Sequence, residues 1–208
     1  MINNFDKLKD ILKFNPKQSY YLFIALKRRK DDPEHYLEKE SKTIQTWIIS
    51  SVKDLNWYMP EMKKVIEDNK CRLYMCTDRK SYLKSMVSMR DEINKYLDSA
   101  LVNPKVEFSA KNYTKLLISN SMKDSSSDKD SRYWMFDIDE KDKSTLDRVI
   151  NICGKYYKAT FETINGYHIM AERKFNANYE LHALQYHTIG ELPVELKDNA
   201  LVLIATGF

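Results

Sequence analysis

Two aspartates one residue apart, Asp137 and Asp139, end the apolar and aromatic run that opens "YWMFDIDEKD" at residues 133–142. An extended chain alternates its side chains between two faces, so both aspartates project one way and Trp134, Phe136 and Ile138 the other. Carboxylates this close repel unless a cation lies between them. A divalent ion is the simplest such cation: Mg²⁺ and Mn²⁺ prefer carboxylate oxygens and share their coordination with substrate phosphates. The bland alternative is a capping turn, with Asp142 or Ser144 starting the next helix. The apolar run ahead of the pair favours chemistry.

His168 is the second candidate. It follows the turn in "INGYH", on a strand expected to neighbour the acidic one, where it could donate to a phosphate or position a nucleotide. A strict two-residue Asn-Gly turn would pair Thr163 with His168 and set Glu162 beside Ile169 on the helix-covered face, a misfit that a bulge or longer turn would relieve. A third acid is expected if two ions bind. Glu195, flanked by Val194 and Leu196, is preferred to Asp198. His35, His182 and His187 lie in polar stretches and suggest no site. Cys71, Cys76 and Cys153 show neither CxxC nor ligand spacing, so reduced thiols are expected and a zinc site is not.

The elements that must position these residues follow from periodicity. Phe5, Leu8, Ile11 and Leu12 recur as in a short amphipathic helix ending near Asn15-Pro16. "YYLFIAL" and "TIQTWIIS" read as strands joined by a long polar connection. "VKDLNWYMPEMKKVIED" reads as a helix that Pro60 kinks or starts late. "CRLYMCT" is a compact strand. A long helix follows, with Leu83, Val87, Ile93 and Leu97 near one side, and then a mobile loop over residues 121–131.

From residue 132 the order is strand, helix, strand, Asn-Gly hairpin, strand, a helix near 176–187 and a last strand, "ALVLIA". Leu146, Val149, Ile150 and Cys153 mark the first of these helices, with Gly154 as its stop. The expected fold is α+β: an RRM-like β-α-β-β-α-β unit, the split ferredoxin-like arrangement, over residues 131–208, with an N-terminal α/β unit over 1–130. Helices would cover one face of its sheet and leave the other open.

A chain of 208 residues with 43% hydrophobic and 31% charged residues suffices for one sizeable domain. No stretch has the uncharged apolar length of a membrane span, and the start lacks a signal-peptide pattern, so a cytoplasmic location is expected. The net charge of +4 is uneven. Residues 1–130 hold 25 Lys+Arg against 19 Asp+Glu, and residues 131–208 hold 9 against 11. A basic first part beside an acidic second suits a protein that handles polyphosphate, although solvated lysines alone give the same count.

"WMFDID", "INGYH" and an acid near a C-terminal strand together resemble the three-motif catalytic core of the archaeo-eukaryotic primase superfamily, which includes the primase-polymerases. In that family a hydrophobic strand ends in D-x-D or D-x-E, a small residue stands two before a histidine, and an acid follows a hydrophobic residue. Gly166-Tyr167-His168 matches the second pattern. "RLYMCTDRKS", residues 72–81, is similar to a strand followed by Arg that precedes the first motif in many members. The resemblance spans 131–206 and, loosely, 72–81; residues 1–66 match nothing. The pattern also looks like that of bacteriophage proteins, which would place it in a host cytoplasm.

What the resemblance implies is a nucleotidyltransferase with Mg²⁺ or Mn²⁺ on Asp137, Asp139 and Glu195. His168 with Arg79 or Lys80 would orient the incoming nucleotide. Nucleoside triphosphates, a single-stranded DNA or RNA template and replication proteins are the implied partners. The ambiguous third acid and the lack of a zinc cluster or helicase domain make a minimal or divergent enzyme the expectation. The alternatives are a catalytically inactive primase-like protein that binds nucleic acid or a host factor, a nucleotide cyclase, for which a GGDEF-like turn is missing, and a HAD-type phosphatase, for which Glu140-Lys141 stands where Gly-Thr is wanted.

Overall fold

The computed structural model describes residues 1–15, 18–28, 31, 42–103, 110–128, 130–173 and 194–208. The fold is mixed α+β with two antiparallel sheets. The first is built from β1 (Ser19–Lys27), β2 (Lys42–Ile49), β3 (Arg72–Cys76) and β9 (Leu201–Thr206) in the order β2-β1-β3-β9, with the short β4 (Lys80–Ser81) also on β1. The second is built from β5 (Tyr133–Ile138), β6 (Tyr157–Glu162), β7 (Tyr167–Glu172) and β8 (Val194–Lys197) in the order β6-β7-β5-β8.

Helix α1 (Leu8–Ile11) follows a 3-10 turn and buries Leu8 and Ile11, as the spacing predicts. α2 (Val52–Asp68) runs through Pro60 and starts at Ser51, whose hydroxyl accepts the Asp54 amide at 3.1 Å. α5 (Lys143–Cys153) starts at Asp142, which accepts the amides of Ser144 and Thr145 at 3.1 and 2.9 Å, and stops at Gly154, where φ is +50°. Its Val149 and Cys153 pack on Phe136, Ile138, Ile169 and Val194, so the apolar face of β5 lies under a helix.

Several expectations need correction. "ALVLIA" forms β9, but β9 pairs with β3 in the first sheet, and the fourth strand of the second sheet is β8. One core joins Tyr21, Phe23 and Leu73 of the first sheet to Met135, Phe161 and Met170 of the second, as one compact domain with two units would have it. The face of β5 that carries Asp137 is open only at its end, because Tyr133 and Met135 are buried in that core.

The long helix α3 (Tyr82–Val102) leaves Leu83, Val87 and Leu97 exposed, so that side is no core face. It packs instead against α4 (Ala110–Met122), a helix the sequence reading did not assign. Within 121–131, Ser121, Ser126, Ser127 and Ser131 are buried, and the hydroxyls of Ser121 and Ser126 donate to the carbonyls of Leu117 and Asn120. That segment is a packed corner rather than a mobile loop. The expected helix near 176–187, with His182 and His187, and also His35, lie outside the described residues.

β9 is a terminal strand, and its outer edge must be satisfied by something other than a strand of its own sheet. Residues near the N-terminus supply part of this: the Asn4 amide donates to the Ile204 carbonyl at 2.8 Å and the Thr206 amide to the Ile2 carbonyl at 3.1 Å. The Asn4 side chain then bridges the sheets. Its Nδ2 donates to the carbonyls of Leu203 and Glu162 at 3.2 and 2.9 Å, and its Oδ1 accepts the Glu162 amide at 3.1 Å. Asn4→Ala would strand these backbone groups, two of them on the second sheet. The expected loss is about 2–4 kcal/mol of unfolding free energy, read by urea titration; a change under about 0.5 kcal/mol would contradict the bridge.

Candidate functional site

β5 lies between β7 and β8, and its register sets the site. Asp137 is the direct partner of His168 on one side and of Glu195 on the other. Direct partners in antiparallel strands share a face, so three stretches distant in sequence form one row: His168, Asp137, Glu195. The hairpin that delivers His168 is longer than a two-residue turn. Phe161 pairs with His168 and Glu162 with Tyr167, leaving Thr163–Gly166 as a four-residue loop closed by the Thr163 amide donating to the Gly166 carbonyl at 2.9 Å. The two extra residues shift the pairing by an even number, so Glu162 keeps the helix-covered face, opposite Tyr167. It is tolerated there because it stands exposed at the end of the edge strand β6 and pairs with Lys141 at 3.1 Å.

Gly166 permits this loop to lie on the end of β5. A Cβ there would stand 1.8 Å from the Ile138 carbonyl oxygen and 2.8 Å from the Glu140 nitrogen, the backbone on either side of Asp139. The small residue two before His168 is thus required by close backbone approach.

His168 and Asp137 open into a cleft of about 510 Å³, with Glu195 outside its lining, where the inner face of the second sheet meets the edge of β9. That volume falls within the ~300–1,000 Å³ usual for small-molecule sites. Leu26, Arg28, Arg72 and Tyr74 form the wall on the first sheet. Asp139 and the Ile164-Asn165 turn lie at the rim, and the turn from Asp198 to Ala200 closes one end.

His168 is buried and spans the gap between the sheets. Its Nδ1 accepts the Leu203 amide of β9 at 3.3 Å, and its Nε2 lies 3.2 Å from Asp137 Oδ1. A backbone amide can only donate, so Nδ1 carries no proton and Nε2–H donates to Asp137. The second Asp137 oxygen, Oδ2, accepts from Lys197 Nζ at 2.6 Å, and the same ammonium lies 2.8 Å from Glu195 Oε2. Burial works against ionising Asp137, but the hydrogen bonds from His168 and Lys197 outweigh it and hold the carboxyl at about 2. Burial likewise opposes the Lys197 charge, and the carboxylates of Asp137 and Glu195 raise its pKa all the same.

The predicted residues fall into two groups. Asp137, Asp139 and His168 line the cleft, with Glu195 in register beside Asp137. Asp139 is exposed and, among the described residues, makes no hydrogen bond or ion pair. Asp198 also lines the cleft, but its carboxylate pairs with Arg173 at 2.7 and 3.0 Å. The oxygens of Asp137, Asp139 and Glu195 do not converge within 4.8 Å of one another; among the described residues the carboxylates that do are Asp78, Asp124 and Asp198.

Arg79 and Lys80 do not reach the cleft. The Arg79 guanidinium donates to Asp128 and to the Lys13 carbonyl, and the fully buried Lys80 ammonium to Ser127 and Asn199. The cleft's cations are Lys197, Arg28 and Arg72. Arg72 is paired with Asp31, and Arg28 donates to the Tyr74 hydroxyl at 3.3 Å. Strand alternation in "VELK" places Lys197 on the face of Glu195, a signal the sequence does carry. For Arg28 and Arg72 no local signal exists. No family model, curated protein or solved structure matches the chain.

Two outcomes follow from this geometry. The folded Asp137 carboxyl lies below its ordinary 3.8, so its stabilising contribution is full above that value and is lost as pH falls through about 2. The stability gap between the parent and Asp137→Asn, from urea midpoints, should be constant above pH ~5 and close between about pH 4 and 2; a gap unchanged at pH ~2 would contradict the pairing. Gly166→Ala should lower stability by about 1–3 kcal/mol, as overpacking does, whereas a neutral or stabilising effect would mean that the loop does not press on β5.

Proposed function

We propose that the cleft is a divalent-metal-dependent nucleotidyltransferase site of the primase type, joining nucleoside triphosphates on a single-stranded DNA or RNA template with release of pyrophosphate. One observation carries the reading: the row His168, Asp137, Glu195, drawn from three separate stretches of chain into direct register beside a cleft with Asp139 at its rim. The order β6-β7-β5-β8, with α5 between the first two strands in sequence, supports an RRM-like unit.

Asp137, Glu195 and Asp139 would hold the ion. Their donors are all carboxylate oxygens, as Mg²⁺ and Mn²⁺ prefer, and the point between Asp137 and Glu195 already attracts a cation, the Lys197 ammonium. Such an ion, when bound, neutralises charge on the phosphoryl oxygens and favours attack by a hydroxyl. The chain's own residues do the rest. His168 fixes the orientation of Asp137 through Nε2–H, Arg28 and Arg72 offer planar donors to phosphate oxygens from the opposite wall, and Lys197 supplies a cation that can shift from the carboxylates to the triphosphate.

Lys197 also favours a second reading. Because it bridges Asp137 and Glu195 and offsets half of their charge, the protein could bind nucleic acid through a primase-like fold and perform no chemistry. Incorporation of labelled nucleoside triphosphates on a primed single-stranded template, with Mn²⁺ or Mg²⁺, separates the two. On the first reading Asp137→Asn and the exposed Asp139→Asn each reduce incorporation by about 100-fold or more, the scale of removing a charge-stabilising group, with circular dichroism unchanged. Variants as active as the parent would sink it. An inert parent that binds nucleic acid but shows no metal-dependent triphosphate binding by calorimetry would establish the second.

A further inference from the structure

Three turns meet at the closed end of the cleft, and each contributes one aspartate. Asp78 lies between β3 and β4, Asp124 in the 3-10 turn after α4, and Asp198 in the turn between β8 and β9. One carboxylate oxygen of each lies within 4.8 Å of the others. Acidic clusters are common on surfaces, so convergence alone decides nothing.

Asp78 is the independent observation. It is 0% exposed, its Oδ1 accepts the Tyr133 amide at 3.3 Å, and its Oδ2 is buried with no donor in good hydrogen-bond geometry, the Ser127 hydroxyl being the nearby polar group. A buried carboxylate oxygen with no donor is costly unless it is protonated or bound to a cation. The nearest buried cation, Lys80, gives its hydrogen bonds to Ser127 and Asn199 instead. The other two acids are held from outside: Arg132 lies 3.2 Å from Asp124 Oδ1, and Arg173 lies 2.7 Å from Asp198 Oδ2. An ionised carboxylate accepts from about four directions, so these guanidiniums can orient the two groups and leave lone pairs for an ion.

We propose that Asp78, Asp124 and Asp198 form a structural site for a hard divalent cation, Ca²⁺, Mg²⁺ or Mn²⁺, at the end of the cleft that Asp198 closes and distinct from the row of His168, Asp137 and Glu195. Oxygen-only donors select this class over zinc or copper. Opposite ligands of an ion with ~2.4 Å bonds stand about 4.8 Å apart, which the observed spread accommodates. The ion clamps the β8–β9 turn to the β3–β4 turn. That junction is already started by the Thr77 amide donating to the Ala200 carbonyl at 2.9 Å and the Ala200 amide to the Thr77 hydroxyl at 3.1 Å.

Thermal melting of the full chain tests this, after chelator treatment and then with CaCl₂, MgCl₂ or MnCl₂ alone. The parent should gain roughly 5–10 °C at an ion concentration about a hundred times the dissociation constant. Asp124→Asn, an exposed substitution that the fold tolerates, should lose most of that gain, and Asp78→Asn all of it. Asp137→Asn, in the cleft, should keep it. No shift with any of the three ions, an Asp124→Asn variant that responds like the parent, or a gain abolished only by Asp137→Asn would each overturn the proposal.

Discussion

Among the described residues no strand of the first sheet lies beyond β9, and the imidazole of His168 accepts the amide hydrogen of Leu203. This one bond ties the second sheet to the free edge of the first and fixes which imidazole nitrogen holds a proton. It also aims that proton at Asp137. Asn4 completes the same junction from the other side, taking the Leu203 carbonyl and both backbone groups of Glu162. The cleft exists because the two sheets meet along this edge rather than stacking over their full faces. Where they meet closely, Tyr133, Met135 and Met170 are buried, and where they diverge, Asp137 and Tyr74 line a cavity.

Electrostatics then decide how the site rests. A half-buried carboxylate loses hydration, and only close donors restore its preference for the charged state. Asp137 has two, one on each oxygen. The Lys197 ammonium lies between two carboxylates that would otherwise repel, and it offsets one of their two charges. A cationic ligand must therefore displace Lys197, and an anionic one can recruit it. Among the described residues Asp139 has no such partner, and it stays exposed at the rim. The resting site is asymmetric: one acid is held, the other free.

The row itself was legible because it rests on short-range rules. Alternation in "WMFDID" put the two aspartates opposite the helix-covered face, and Asn-Gly marked the hairpin that returns His168 to them. Glu195 was found by its apolar neighbours, and Lys197, on the same face, could have been found by the same test. What failed was long-range or depended on solvent. Nothing local tells β9 to leave β8 and pair with β3. Arg79 and Lys80 look like surface cations ready for phosphate, yet both are buried and paired, Arg79 with Asp128 of the serine-rich corner and the Lys13 carbonyl, Lys80 with Ser127 of that corner and Asn199 of the β8–β9 turn. Those serines read as loop by composition, and they pack because their hydroxyls satisfy backbone carbonyls within the corner. The apolar side of α3 obeys helical periodicity and still faces outward, since periodicity states which residues share a side and not what covers it.

The burial of Lys80 has a bearing on the cleft that its distance from Asp137 conceals. Its ammonium donates to the side chain of Asn199, which holds φ at +47°, a conformation asparagine tolerates better than most residues. The Asn199 amide group also donates to the Met122 carbonyl at 2.6 Å, so this one residue is fastened to both β4 and the end of α4. The tight turn it makes sets where β8 ends, and hence where Lys197 and Glu195 stand against Met135 and Asp137. A lysine that contacts no ligand thereby governs the placement of the one that bridges the acids. Burying an ammonium is costly, and Lys80 is pushed toward its neutral form by that burial. Its retention in the interior is most simply explained by this anchoring of the β8–β9 turn, which no apolar residue of similar length could hold through hydrogen bonds.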